Sequence, residues 1–164
     1  MTDDPFPDEQ PYLADELFFR LVDLGGLPPQ GSLEGASGMK SDPGPYETSL
    51  IERCETAWRT TYRELTCEQV RTLLEQRMGI HWLATRILEF NALYPSATIT
   101  NYPGEMVLLS LRAATDLLAE APDTFRNWLS GDFDWFAEVF GWDKRLLGEA
   151  EAALGSAREL VAGR

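Results

Sequence analysis

The sequence predicts a mostly α-helical single domain of six to seven helices with little or no β-structure. Three observations carry that expectation. Apolar residues recur at helical spacing over most of the chain after Leu13. Helix starts and stops flank those stripes, the clearest being Thr66 with Gln69, a Thr-x-x-Gln capping box that satisfies orphan backbone donors. No convincing strand stands out beyond the short extended piece Ala97–Thr100. With 164 residues, 44% of them hydrophobic, the chain is long enough for one domain with a real core.

Residues 1–11 read as an acidic, proline-containing leader without structure, and residues 12–164 as the domain. Tyr12 to Leu24 suits a helix that buries Leu13, Leu17, Phe18, Leu21 and Leu24, widened by Phe19 and Val22, and Gly25-Gly26 stops it. Residues 27–46 are rich in Gly, Pro and Ser and read as a loop. Ser49 and Glu52 form a second capping box. The helix behind it turns Leu50, Ile51, Cys54, Ala57, Trp58 and Tyr62 inward. Its outward charges, such as Glu55 and Arg59, form a solvated face.

The central stretch follows. After Thr66, the stripe Val70, Leu73, Leu74 and Met78 leads to Gly79, a residue suited to a left-handed stop. A helix from Ile80 or His81 carries Leu83, Ala84, Ile87, Leu88 and Asn91 on one face. It ends at Tyr94-Pro95, because the residue before proline avoids the helical region. Pro103 suits the first turn of the next helix, with Asn101 or Tyr102 as cap, and Glu105 places a negative charge where the helix dipole favours it. Val107, Leu108, Leu111 and Leu118 continue the buried face. Pro122 restarts a helix that ends at Ser130-Gly131. Asp132–Phe140 and Trp142–Ala162 read as two more helical segments broken at Gly141.

This central unit resembles one family of bacterial contact-dependent growth inhibition immunity proteins. The likeness runs through Leu65-Thr66, Glu68 to Arg71, Gln76, Gly79, Leu83, Leu88-Glu89 and Pro95 to the Tyr102-Pro103-Gly104-Glu105 element, its most specific part. It reaches upstream to Ser32-Leu33-Glu34 and Thr48 to Cys54, and covers half to two-thirds of the chain. The family usually has Asp where this chain has Glu105 and a proline near Thr85. The resemblance implies a helical protein that binds and neutralises the toxic C-terminal domain of a cell-surface effector. Gln76, Gly79, Tyr102, Pro103, Gly104 and Glu105 are then structural motif residues.

Charge and composition narrow the classes of partner. The net charge is −13, which opposes direct binding to nucleic acid or an anionic membrane and favours a basic protein. The same acidity also serves solubility. No apolar run approaches the ~18 residues of a membrane span. Cys54 and Cys67 are the only cysteines, lack Cys-x-x-Cys spacing and follow no secretory start, so reduced thiols and a cytoplasmic location are expected.

Catalytic chemistry finds little to work with. His81 is the single histidine, which rules out a His-rich metal site. It stands near a helix start, where a capping or partly buried polar role suits it better than catalysis. Neither a Gly-x-Ser-x-Gly elbow nor a phosphate-binding Gly-x-x-x-x-Gly-Lys occurs. The expectation is a protein that is not an enzyme and needs no metal or cofactor. One constellation suits binding instead: Ser130 to Lys144, where Asp132, Asp134, Glu138 and Asp143 mix with Phe133, Trp135, Phe136, Phe140 and Trp142. Helical spacing places Asp134, Glu138 and Trp135 on one side and Phe133, Phe136, Val139 and Phe140 on the other. Asp132, Asp134, Trp135 and Glu138 are therefore the candidate toxin-binding residues, since an aromatic anchor ringed by acids fits a basic, nuclease-type partner. An ordinary amphipathic helix explains the same pattern. At the level of function, the rivals are an acidic helical adaptor or regulatory protein for another basic protein, and a small hydrolase or transferase using His81.

Overall fold

The computed structural model describes residues 11–22, 30–40 and 48–163. Among them are ten α-helices: α1 (Phe18–Val22), α2 (Leu33–Ser37), α3 (Ser49–Arg59), α4 (Cys67–Glu75), α5 (Ile80–Leu93), α6 (Glu105–Arg112), α7 (Ala114–Glu120), α8 (Pro122–Leu129), α9 (Phe136–Phe140) and α10 (Lys144–Ala162). A 3₁₀ turn, Tyr62–Glu64, links α3 to α4. The helical class is as expected, and extended pairing among the described residues is confined to isolated bridges. The helix count exceeds six to seven. One added helix is α2, inside the expected 27–46 loop, where the Ser32 side chain accepts from Gly35 N–H and starts a turn. Another comes from a break at Ala113 that divides the expected continuous face into α6 and α7.

The helix α5 is the hub. It packs on α1, α6, α7 and α8, and Ile80, Leu83, Ala84, Ile87, Leu88, Phe90 and Asn91 are all buried. Burial on several sides explains why its sequence is apolar around most of its circumference. The long helix α10 lies across α6, α7, α8 and α9 and contributes Leu146, Ala150, Leu154 and Ala157 to the same core. Asp143 caps it, accepting from the amides of Arg145 and Leu146. The helix α4 sits between α3 and α6, behind the expected Thr66–Gln69 capping box, in which both reciprocal bonds form.

Several boundaries differ from the sequence reading. The first helix begins at Phe18, not Tyr12, because residues 11–18 spend their backbone groups on other segments. Leu13 N donates to Thr98 O, Phe18 N to Leu65 O, and Cys67 N and Glu68 N donate to Glu16 O and Ala14 O. These tertiary bonds displace the local helical ladder. Leu17 is left exposed as a result, whereas Phe18, Phe19 and Val22 are buried. The expected stop at Gly25-Gly26 and the 1–11 leader, apart from Pro11, lie outside the described residues. Ahead of α3 the cap is Thr48, which accepts from Ile51 N–H. The expected Ser49–Glu52 box therefore does not form, and Ile51 faces out. Before α6, Gly104 takes the position in front of the helix with φ +80°, so Pro103 precedes the helix instead of lying in its first turn. The helix α9 starts at Phe136, four residues later than expected, because Asp132 Oδ1 captures the Asp134 amide in a local turn.

Candidate functional site

The motif residues build a support rather than a reactive centre. Glu105 is fully buried. Its Oε2 accepts from Arg71 Nε at 3.1 Å, and its Oε1 accepts from the backbone amides of Ile99, Thr100 and Asn101. One side chain thus pins the link between α5 and α6 onto α4. Gly104 approaches so closely that a Cβ there would lie 2.8 Å from Phe140 Cζ and 3.0 Å from Val139 Cγ1. Tyr102 meets the Phe140 ring edge-on at 6.4 Å, and burial raises its phenol pKa. The Tyr102-Pro103-Gly104-Glu105 element is therefore the seat on which α9 rests. At the other end of α4, Gln76 is an exposed C-cap. Gly79 has φ +70°, but it stands directly in front of α5 and does not stop α4, which ends at Glu75 and has Arg77 at φ +58° beyond it; Leu33 and Trp58 pack over Gly79.

The helix α9 and the turn before it carry the acidic aromatic segment. Phe133, Phe136, Val139 and Phe140 are buried in the core, while Asp132, Asp134 and Glu138 face solvent. Trp135 is half-buried, with its ring 4.8 Å from Phe136, 6.0 Å from Phe140 and 6.3 Å from Phe133. It is thus as much a packing residue as a surface one, and Trp142, 64% exposed, is the open aromatic beyond α9. The acids and Trp135 do not share one helical face, since Asp132, Asp134 and Trp135 precede α9 and only Glu138 belongs to it.

A cleft of about 360 Å³ opens beside this turn, between α5, the end of α8 and the residues leading to α9. Trp128, Phe133 and Trp135 wall it, Asp132 stands at it, and Asn91 of α5 reaches it from the core. Asn91 Nδ2 donates to Ser110 Oγ at 2.8 Å, and Ser110 Oγ donates in turn to Met106 O. Asn91 Oδ1, though buried, accepts no hydrogen bond from the described residues. The sequence signal for this feature was a lone amide inside the apolar stripe of α5, which reads as core until its partners are known.

The groups considered for catalysis lie elsewhere. His81 is exposed, not partly buried, and its Nδ1 lies 2.6 Å from Glu120 Oε2. Cys54 and Cys67 are free and buried. Burial pushes both thiols up, Cys67 to about 12, which holds it protonated at neutral pH. Among the described residues, no group of three His, Cys, Asp or Glu side chains is placed to hold a metal ion. No described helix is long and apolar enough to cross a membrane. Comparison with known family profiles, curated proteins and solved structures finds no match to this chain.

Proposed function

We propose that the chain is an immunity protein, which binds the toxic C-terminal domain of a contact-dependent growth inhibition effector and neutralises it by covering its active site. The reading begins in the resemblance carried by Gln76, Gly79 and Tyr102 to Glu105. The observation that carries it furthest is the turn before α9, where Asp132 and Asp134 stand exposed around half-buried Trp135, with Glu138 on the helix beyond. A nuclease domain must line its cleft with Lys and Arg to hold a phosphate backbone. Carboxylates placed where phosphates would lie, around an aromatic that excludes water, form a complementary surface. The net charge of −13 adds long-range attraction for such a partner.

The partner is sought in the polypeptide encoded immediately upstream. Its C-terminal domain is expressed alone, tested for toxicity, and titrated with this chain. Tight binding with restored growth supports the immunity reading. A toxic upstream domain that neither binds this chain nor is neutralised by it removes that reading. An adaptor protein for another basic partner then takes its place.

A further inference from the structure

The cleft beside Trp135 holds a mismatch that its walls do not resolve. Asn91 is 1% exposed, and its amide orientation is fixed because the Ser110 hydroxyl donates to Met106 O and so accepts from Asn91 Nδ2. Asn91 Oδ1 is left as a buried acceptor without a donor among the described residues, and Asn91 forms part of the floor of the cleft of about 360 Å³. Such a group costs free energy unless something donates to it. Around the floor are the aromatic rings of Trp128, Phe133 and Trp135, and at the rim the exposed Asp132. Asp132 Oδ1 accepts from the Asp134 amide, and its second oxygen has no donor among the described residues. A buried acceptor, π-faces and a rim carboxylate together ask for a planar cation with several donors.

The protein already shows this preference at the edge of the same cluster. Arg158 of α10 lays its guanidinium 5.4 Å from the centre of the Phe133 ring, and its Nη2 donates to the carbonyl of Gly131, another residue of the cleft. Lysine fits less well. Its ammonium is strongly hydrated and does not stack, whereas a guanidinium is flat, weakly hydrated and carries five donors.

We propose that this cleft is a receptor for an arginine side chain of the protein partner, stacked among Trp128 and Trp135, paired with Asp132 and donating to Asn91 Oδ1. The assignment of the partner as a toxin rests on the function proposed above; the arginine chemistry of the cleft stands on its own geometry.

The test uses the full chain, ¹⁵N-labelled, and three capped tripeptides with a central arginine, lysine or citrulline. The arginine peptide should shift the Asn91 side-chain amide and the Trp128 and Trp135 indole resonances. The citrulline peptide, isosteric but uncharged, should bind about tenfold more weakly, and lysine should fall between them. Asp132→Asn, a surface change that leaves the core alone, should weaken the arginine peptide by about tenfold and remove its advantage over citrulline. Arginine and citrulline peptides that bind alike, or an arginine peptide that moves none of those resonances, overturns the proposal. The two readings fail separately. Peptide binding without toxin binding ends the immunity reading alone. Toxin binding that is indifferent to Asp132→Asn, together with silent peptides, ends the arginine cleft alone.

Discussion

Arg71 Nε and Glu105 Oε2 meet at 3.1 Å inside the protein, with their side chains 10% and 1% exposed. The pair ties α4 to the start of α6, and the same carboxylate holds the amides of Ile99, Thr100 and Asn101. A buried pair adds little over a well-packed apolar one, but removing one partner strands the other charge. Glu105→Ala should therefore cost about 3–5 kcal/mol, although Arg71 retains Glu75 at 3.0 Å. Glu105→Gln keeps the shape and some acceptor capacity, so it should cost less. Denaturant unfolding of both variants measures the difference. An Ala variant as stable as the wild type would show that the link is held by other contacts.

The two seats for glycine can be separated from ordinary helix glycines. At Gly104, φ is +80° and a Cβ would press on Phe140. Gly104→Ala should lose about 2–4 kcal/mol, from left-handed strain and overpacking together. Gly79→Val meets φ +70° and Leu33 Cδ1 at 3.0 Å from the new Cβ, and should also destabilise by about 2 kcal/mol or more. Gly148 lies within α10 with nothing near its missing Cβ. Gly148→Ala should stabilise by about 0.5–1 kcal/mol. Melting temperatures that fall for Gly148→Ala or hold steady for Gly104→Ala contradict this division.

Local signals predicted what is local. Thr66–Gln69, Gly79, Pro95 and Pro122 mark true boundaries because capping and proline geometry act within one turn. The buried faces of α5 and α10 follow from periodicity for the same reason. Features that depend on distant partners were not legible. Tyr12–Leu17 has a helical pattern, yet its amides and carbonyls pair with residues 65–68 and 98. Glu105 reads as a surface dipole partner until Arg71, 34 residues away, closes over it. Asn91 is recognisable as buried, but the cleft that makes its oxygen matter needs α8 and the turn before α9. At the candidate surface, Asp134 and Glu138 are exposed, but not as the single helical face the spacing implied: Asp134 lies in the turn before α9 and only Glu138 on the helix. The local turn at Asp132, which delays the start of α9 to Phe136, was not legible from that spacing.

Cys67 makes the alkaline limb of stability specific. Burial raises its thiol from 9.0 to about 12 in the folded protein. Between those values the unfolded chain loses the proton while the folded chain keeps it, so the unfolded state binds fewer protons and stability falls as pH rises. The loss should approach 1.4 kcal/mol per pH unit from this residue alone, and be absent at neutral pH. Cys67→Ala lowers stability at pH 7 by vacating core volume but should flatten the alkaline limb. The raised phenols of Tyr62 and Tyr102 steepen the same limb at its upper end. Parallel denaturation curves for wild type and Cys67→Ala across the alkaline range would refute the assignment. In the native state at neutral pH, thiol reagents should modify Cys67 only through unfolding.

The candidate surface is tested best through its charges. Under the immunity function proposed above, Trp135→Ala should weaken binding of the toxin domain by about 2 kcal/mol or more, roughly thirtyfold. It also removes a ring packed at 4.8 Å on Phe136, so part of any loss will be folding. Asp134 and Glu138 are exposed and can be reversed without touching the core. Asp134→Lys together with Glu138→Lys should leave the unfolding free energy within about 0.5 kcal/mol of wild type. The same variant should slow association with the basic toxin domain and abolish protection in growth competition. Rim charges act mainly on the approach, so the wild-type association rate should fall with added salt, and the double-lysine variant should show a weaker dependence. This separates the surface from a merely acidic protein, in which two charges out of many would change the rate only slightly. If rate, salt response and protection all survive the reversal, the partner docks elsewhere. The acids of the first segment, Asp15 and Glu16, are then the next to reverse, since both are exposed on the segment whose carbonyls bond to the start of α4.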